Sequence, residues 1–196
     1  MLEIRGLRTF CHRYESSPEL DLVEVSHNGY AFLPEPVFHL RRVFYFKPCV
    51  WLIDDVLTGM GTHEFRLCLN FSPGRLEPVE AEPGNFTYFG SREQIRCVSL
   101  LSKGTTTDVL EGQTVPKGGW ASYAYSKKIP IPQLIYGKQG AVPVRFLTAL
   151  YPVGRGAVEL IDQGKTDELR LNIESSGQRW DALLSSDRFE IEKGAG

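Results

Sequence analysis

The feature that most narrows what this chain can fold into is a period of two in its apolar residues, recurring from one end to the other, with no helical periodicity of any length. The clearest run is 62–71, where His63, Phe65, Leu67, Leu69 and Phe71 share one parity and Glu64, Arg66, Cys68 and Asn70 share the other. Successive side chains of an extended chain point to opposite faces, so this segment predicts a strand with one face on a core and Arg66 outside it. Similar runs occupy 20–26, 37–46, 50–57, 94–101, 144–151, 157–161, 168–174 and 188–192. Between them stand turn-forming clusters: His27, Asn28 and Gly29; Gly59, Met60 and Gly61; Ser72, Pro73 and Gly74; Pro83, Gly84 and Asn85; Gly154, Arg155 and Gly156.

Short strands joined by short turns predict an all-β fold, a large antiparallel two-sheet β-sandwich. The brief connection after Leu57 predicts that 50–57 and 62–71 pair as a hairpin. The texture changes over 113–140, where four glycines and three prolines are interspersed with Trp120, Tyr123, Tyr125 and Tyr136, and this stretch reads as a long loop with strand fragments. No linker, repeat or low-complexity tract divides the 196 residues, so 1–196 is read as a single domain.

Several function classes fall away on charge and composition. The formal net charge is -2 and Lys and Arg are dispersed, which argues against a nucleic-acid partner. The apolar runs are strand-sized and broken by charge, so no membrane-spanning helix is expected. The first residues lack the basic segment and apolar run of a secretory leader, so the chain is expected to be cytoplasmic, already processed, or shortened. Cys11, Cys49, Cys68 and Cys97 are widely spaced with no CxxC pair, and Cys68 and Cys97 are expected to be buried thiols.

The side chains that could carry chemistry are few. His12, His27, His39 and His63 form no HxH or HxxxH spacing, so no metal is expected, and His63 reads as a core histidine. Asp54 and Asp55 are adjacent on a strand, face opposite ways and cannot act as one acid/base dyad; one of them is expected to brace the following turn. No GxSxG elbow and no Gly-rich phosphate loop occur, and no cofactor or catalytic residue is assigned. His39 and Arg41 share a parity, which either makes them part of an exposed polar face or brings an imidazole and a guanidinium together where an anion could be met. Trp120, Tyr123 and Tyr125 lie in the loop region, where they either cover sheet edges or stack on sugar rings.

Read in order, these segments resemble the heparinase II/III-like family. His27-Asn-Gly-Tyr30, Phe38-His-Leu-Arg-Arg-Val43, Trp51-Leu-Ile-Asp-Asp-Val-Leu57 with Gly59, Gly61 and His63, and Phe71-Ser-Pro-Gly74 follow that family's succession of segments. Gly118-Gly-Trp-Ala-Ser-Tyr123 and the run from Val144 to Pro152 look like two later ones, so the resemblance covers about 20–165. It implies a large sandwich of supersandwich type that packs against an α-helical toroid, upstream or on another chain, and forms one wall of a groove for acidic polysaccharide. In that family the catalytic Asn or His, Tyr and His and the metal-binding His and Asp precede the matched part, so none is carried over.

The expected function is therefore the C-terminal module of a polysaccharide lyase that cleaves uronate-containing glycans by β-elimination and is inactive without its toroid. The alternative is a stand-alone sandwich that binds carbohydrate or assembles with another protein; an intact small jelly-roll lyase is disfavoured. The candidate binding residues are His39, Arg41, Trp120, Tyr123 and Tyr125. Arg41 is preferred to Arg42 because it shares the parity of His39.

Overall fold

Residues 6–163 and 167–194 are described in a computed structural model of the chain. They form β1 (Thr9–Ser16), β2 (Leu20–His27), β3 (Val37–Phe46), β4 (Val50–Gly59), β5 (Thr62–Asn70), β6 (Arg75–Pro78), β7 (Phe86–Phe89), β8 (Gln94–Ser99), β9 (Thr106–Glu111) and β10 (Gln113–Thr114). These are followed by β11 (Lys117–Gly118), β12 (Trp120–Ala124), β13 (Lys127–Pro130), β14 (Pro132–Ala141), β15 (Val144–Pro152), β16 (Gly156–Gln163), β17 (Leu169–Ser175), β18 (Gln178–Leu184) and β19 (Phe189–Lys193), with no helix among the described residues. All pairings are antiparallel, as the alternation implies.

The architecture is an all-β sandwich built on one eight-stranded sheet, in the order β1-β2-β3-β4-β15-β8-β7-β6. Parity along its central strands gives it two apolar faces. Phe44, Phe46, Val50, Leu52, Leu147 and Ala149 point one way and pack with Leu169, Leu171, Ile173, Trp180 and Leu184 of the four-stranded sheet β16-β17-β18-β19. Val37, Leu57 and Phe146 point the other way and pack with Phe65, Leu67, Leu134 and Tyr136 of the three-stranded sheet β5-β14-β9. Each fully buried side chain of this kind contributes about 1.5–3 kcal/mol. Covering the large sheet on both sides also explains why Asp54, Asp55, Val56 and Leu57 are all buried in succession, where a strand with one wet face would alternate.

Two local expectations are corrected. β4 and β5 are not a hairpin: β4 pairs with β3 and β15, and β5 pairs with β14 in a different layer. The connection Gly59–Gly61 crosses from sheet to sheet instead. Gly59 has φ +136° and a Cβ there would lie 2.1 Å from the Pro36 carbonyl oxygen, so only glycine fits this crossing, and the Met60 N–H donates to that same oxygen at 2.9 Å. The stretch 113–140 is not mainly loop, because β14 is the centre of the three-stranded sheet. Its Pro132 stands at the first position of the strand, where a missing N–H costs least, and Gly137 lets Thr106 approach closely. Cys97 is buried as expected, but Cys68 is exposed; it shares parity with Glu64 and Arg66 on the outer face of β5.

Candidate functional site

The register of β2, β3 and β4 assembles a polar cluster on the face turned toward β5 and β14. His27 lies opposite His39, and Arg41 lies opposite Asp55. Arg41 donates from Nε to Asp55 Oδ1 at 2.6 Å and from Nη2 to Asp55 Oδ2 at 3.1 Å, a side-on bidentate pair. The terminal Nη1/Nη2 edge of the guanidinium, a second planar fork, is left toward solvent; the Arg41 side chain is 38% exposed while that of Asp55 is 3% exposed.

His39 also donates to Asp55, from Nε2 to Oδ1 at 2.6 Å, and its Nδ1 lies 3.1 Å from His27 Nε2. His27 Nδ1 in turn accepts the backbone N–H of Gly29 at 3.0 Å, and the Tyr30 ring meets the His27 ring edge-on at 5.1 Å. Burial pushes the Asp55 carboxyl up, but the hydrogen bonds from His39 and Arg41 outweigh it and hold the group below its ordinary range. Burial, reinforced by the neighbouring His39 and Arg41, lowers the pKa of His27.

Of these residues, His39, Arg41 and Asp55 form the floor of a groove of about 350 Å³ between the large sheet and β5, whose walls include Tyr30, Leu33, His63, Glu64, Arg66 and Phe146. His63 is not the core histidine expected: it is half-buried at the groove, and its Nε2 bonds the Met60 carbonyl at 2.9 Å. Arg66 is paired with Glu64 at 2.6 Å. Both arginines of the groove are thus balanced by a carboxylate, and its floor offers directional N–H donors with little net charge.

Asp54, on the opposite face of β4, does not brace the turn. It lies fully buried between Arg42 Nη2 at 3.0 Å and Arg145 Nε at 2.7 Å. Arg42 also donates to the carbonyls of Ser185 and Arg188, which ties the large sheet to the β18–β19 turn, and Arg145 donates to the carbonyl of Asp167, ahead of β17, at 2.8 Å. Arg42 is therefore a buried tie between sheets, while Arg41, of the other parity, lines the groove.

Trp120, Tyr123 and Tyr125 lie elsewhere, on the small β12–β13 hairpin. That hairpin joins β14 at Pro132, whereas the groove flanks the other end, where Gln139 pairs with Glu64. Seven residues of strand separate the two places, roughly 23 Å at ~3.3 Å per residue. Tyr125 is fully solvated and Tyr123 is exposed, while Trp120 is half-buried, donating from Nε1 to the Gln113 carbonyl at 2.9 Å with the Lys128 ammonium 3.9 Å from its ring centre. Sequence reasoning therefore named two separate surfaces, and it missed His27 and Asp55. His27 stands in a turn cluster, and the partnership of Asp55 with His39 and Arg41 depends on cross-strand register.

The sequence matches the family described as "Heparinase II/III-like, C-terminal" over residues 5–141. The chain belongs to that family. The heparinase II/III-like match contains every groove residue named above except Phe146, as well as the β12–β13 hairpin, while β16–β19 lie beyond it. Among solved structures, the chain is similar to the heparan sulfate lyase HepC from Pedobacter heparinus, with 17% identity and a TM-score of 0.71 over 90% of this chain and 28% of that one. It is also similar to a heparinase III, with 14% identity and a TM-score of 0.64 over 95% of this chain and 27% of the other. At such identities the likeness shows the fold, and the chain spans little more than a quarter of either enzyme. No curated protein matches.

Proposed function

We propose that the chain is the C-terminal β-sandwich module of a polysaccharide lyase acting on uronate-containing polysaccharide, with the groove over Asp55 as its binding surface. The observation that carries this reading is the Arg41 guanidinium, which is clamped side-on by Asp55, lines the groove and stays partly exposed. A guanidinium fork takes a planar carboxylate through two parallel N–H bonds. In β-elimination a base removes the proton at C5 of the uronate, the C4–O4 bond breaks, a C4=C5 double bond forms and the departing oxygen gains a proton. N–H bonds to the uronate carboxylate that strengthen as charge develops on it lower the cost of the carbanionic transition state, which is the role this fork would fill.

The proton transfers are assigned to another domain, a helical toroid upstream or on a separate chain, as the family resemblance implies. His27 and His39 each use both ring nitrogens within the cluster, which leaves neither as an open base. The module alone is then a weak binder without turnover.

The test is titration of the chain with alginate, heparin and a neutral glycan. Binding of the acidic glycans on the order of millimolar, weakened by salt, is expected. The Arg41→Ala variant should lose it. Indifference of the unaltered chain to every glycan would overturn the binding role, and absorbance from unsaturated uronate produced by this chain alone would overturn the assignment of the proton transfers elsewhere.

A further inference from the structure

The hydrogen bonds through His27 and His39 have a direction fixed at both ends. At one end the Gly29 backbone N–H can only donate, so His27 Nδ1 is a bare acceptor and its proton sits on Nε2. At the other end the Asp55 carboxylate accepts from His39 Nε2–H, so His39 Nδ1 is the acceptor that receives His27 Nε2–H. Both imidazoles are neutral and both are Nε2–H tautomers. The chain reads Gly29 N–H to His27, His27 to His39, His39 to Asp55.

A proton added to this pair enters at the bare Nδ1 of either ring. If His27 takes it, the new proton is on Nδ1. If His39 takes it, Nδ1 of His39 becomes a donor facing His27 Nε2–H, and the His27–His39 bond is kept by the tautomer change that bares His27 Nε2 and moves its proton to Nδ1. Along either of these routes Nδ1–H of His27 faces Gly29 N–H, two donors about 3 Å apart, and that bond is lost. The Gly29 contact belongs to a turn whose next residue, Tyr30, rests on His27 and lines the groove. Tyr30 also receives the N–H groups of Leu33 and Val37 on its carbonyl, so displacement of Gly29 is passed to the segment that forms the groove rim.

We infer that His27 and His39 form a proton-operated latch on the turn from Asn28 to Tyr30, closed at neutral pH and released in mild acid, so that uronate binding in the groove weakens as the latch opens. This rests on the groove being the binding surface proposed above. The charged and titratable groups facing the pair are Asp55 from β4, Arg41 from β3 and Tyr30 from the turn itself, with His63, Glu64 and Arg66 from β5 across the groove and His12 of β1 and Asp187 of the β18–β19 turn around a second hollow that both histidines line. Asp55 favours proton uptake and Arg41 opposes it. The lowered pKa of His27 agrees with a neutral His27 ring in the closed latch. Both histidines are positioning residues, since neither presents an open nitrogen to the groove.

Nuclear magnetic resonance of the intact chain tests the latch without any glycan. At about pH 7.5 both imidazoles should show the Nε2–H tautomer, and the Gly29 amide should be shifted and protected from exchange. On acidification the Gly29 amide should lose that protection together with the His27 ring transition, and in the His27→Gln variant it should be insensitive to pH over the same range. A Gly29 amide that ignores the His27 transition overturns the inference. Affinity for an oligouronate, whose carboxylates stay ionised throughout, should fall about fivefold or more between about pH 7.5 and about pH 5.5 in the unaltered chain and stay level in His27→Gln. Binding that does not change with pH while Gly29 responds overturns the coupling to ligand. Absence of binding at both pH values overturns the proposed function, while the Gly29 readout still decides the latch.

Discussion

Asp54 and Asp55 are neighbours in sequence that anchor opposite faces of one strand: Asp54 joins Arg42 and Arg145 beneath the four-stranded sheet, and Asp55 joins Arg41 and His39 at the groove. The same dipeptide thus serves stability on one side and the candidate binding surface on the other, and the two roles separate experimentally.

On the buried side, Asp54→Ala leaves two guanidinium groups unpaired, one of them wholly inaccessible to solvent. Arg42 is already under strain from burial, which pulls its pKa down against the attraction of Asp54, and its Nε has no hydrogen-bond partner among the described residues. Removing the one carboxylate between them is expected to cost about 3–5 kcal/mol. Chemical denaturation compares the variant with the parent; a loss within experimental error would mean that water or another group compensates the cations.

Leu67→Ala reports on the other core. Leu67 is 7% exposed and packs between the three-stranded sheet and the large sheet with Phe65 and Leu134. The cavity left should cost about 2–5 kcal/mol, read as a shift of the unfolding midpoint at unchanged slope. The neighbouring Arg66, exposed at the rim of the groove and paired with Glu64, should cost about 1 kcal/mol or less when replaced.

The contrast between those two positions was legible in the sequence, because alternation fixes which side chains share a face. Parity also placed His39 with Arg41 and set Arg42 apart. It could not say which strand lay alongside. Asp55 is 14 residues from Arg41 and meets it only because β3 and β4 pair in one register, and His27 enters the cluster from a third strand. The short crossing at Gly59 reads like a hairpin turn, since nothing local reports that Thr62 opens a strand in another layer. Likewise the prolines and glycines of 113–140 carry loop propensity that the pairing of β14 on both edges overrides.

Acid should destabilise the fold in two stages. His27 has a pKa lowered from 6.5, so the unfolded chain binds more protons than the folded one just below that value. Its contribution is therefore complete above pH 6.5 and is lost as pH falls toward the folded value. Asp55 is lowered from 3.8 by its partners, so its contribution is present above 3.8 and disappears as pH drops below it. Urea midpoints measured across this range should decline in both windows, and His27→Gln should flatten the upper one alone. A midpoint that rises on acidification from neutrality would reverse the sign assigned to His27.

Ligand length should separate the two candidate surfaces. The Pro132 end of β14, where the hairpin bearing Trp120, Tyr123 and Tyr125 joins, and the Gln139 end, which flanks the groove of Arg41, stand roughly 23 Å apart by strand rise, so a short oligosaccharide seated at the groove is not expected to reach the hairpin. A short uronate oligomer bound at the groove should therefore respond to Arg41→Ala and ignore Tyr123→Ala and Tyr125→Ala. A polymer long enough to reach the hairpin should bind more tightly through the added contacts, and its affinity should fall in the tyrosine variants as well. Trp120 calls for a different comparison, because its indole holds the Gln113 carbonyl and packs under Lys128, so Trp120→Ala should loosen the hairpin as well as remove a ring. Calorimetric titration of the four variants with a short and a long alginate fraction checks all of this together. If short and long chains respond alike to every substitution, the hairpin is not part of the glycan path and its aromatics serve to cover the sheet edge.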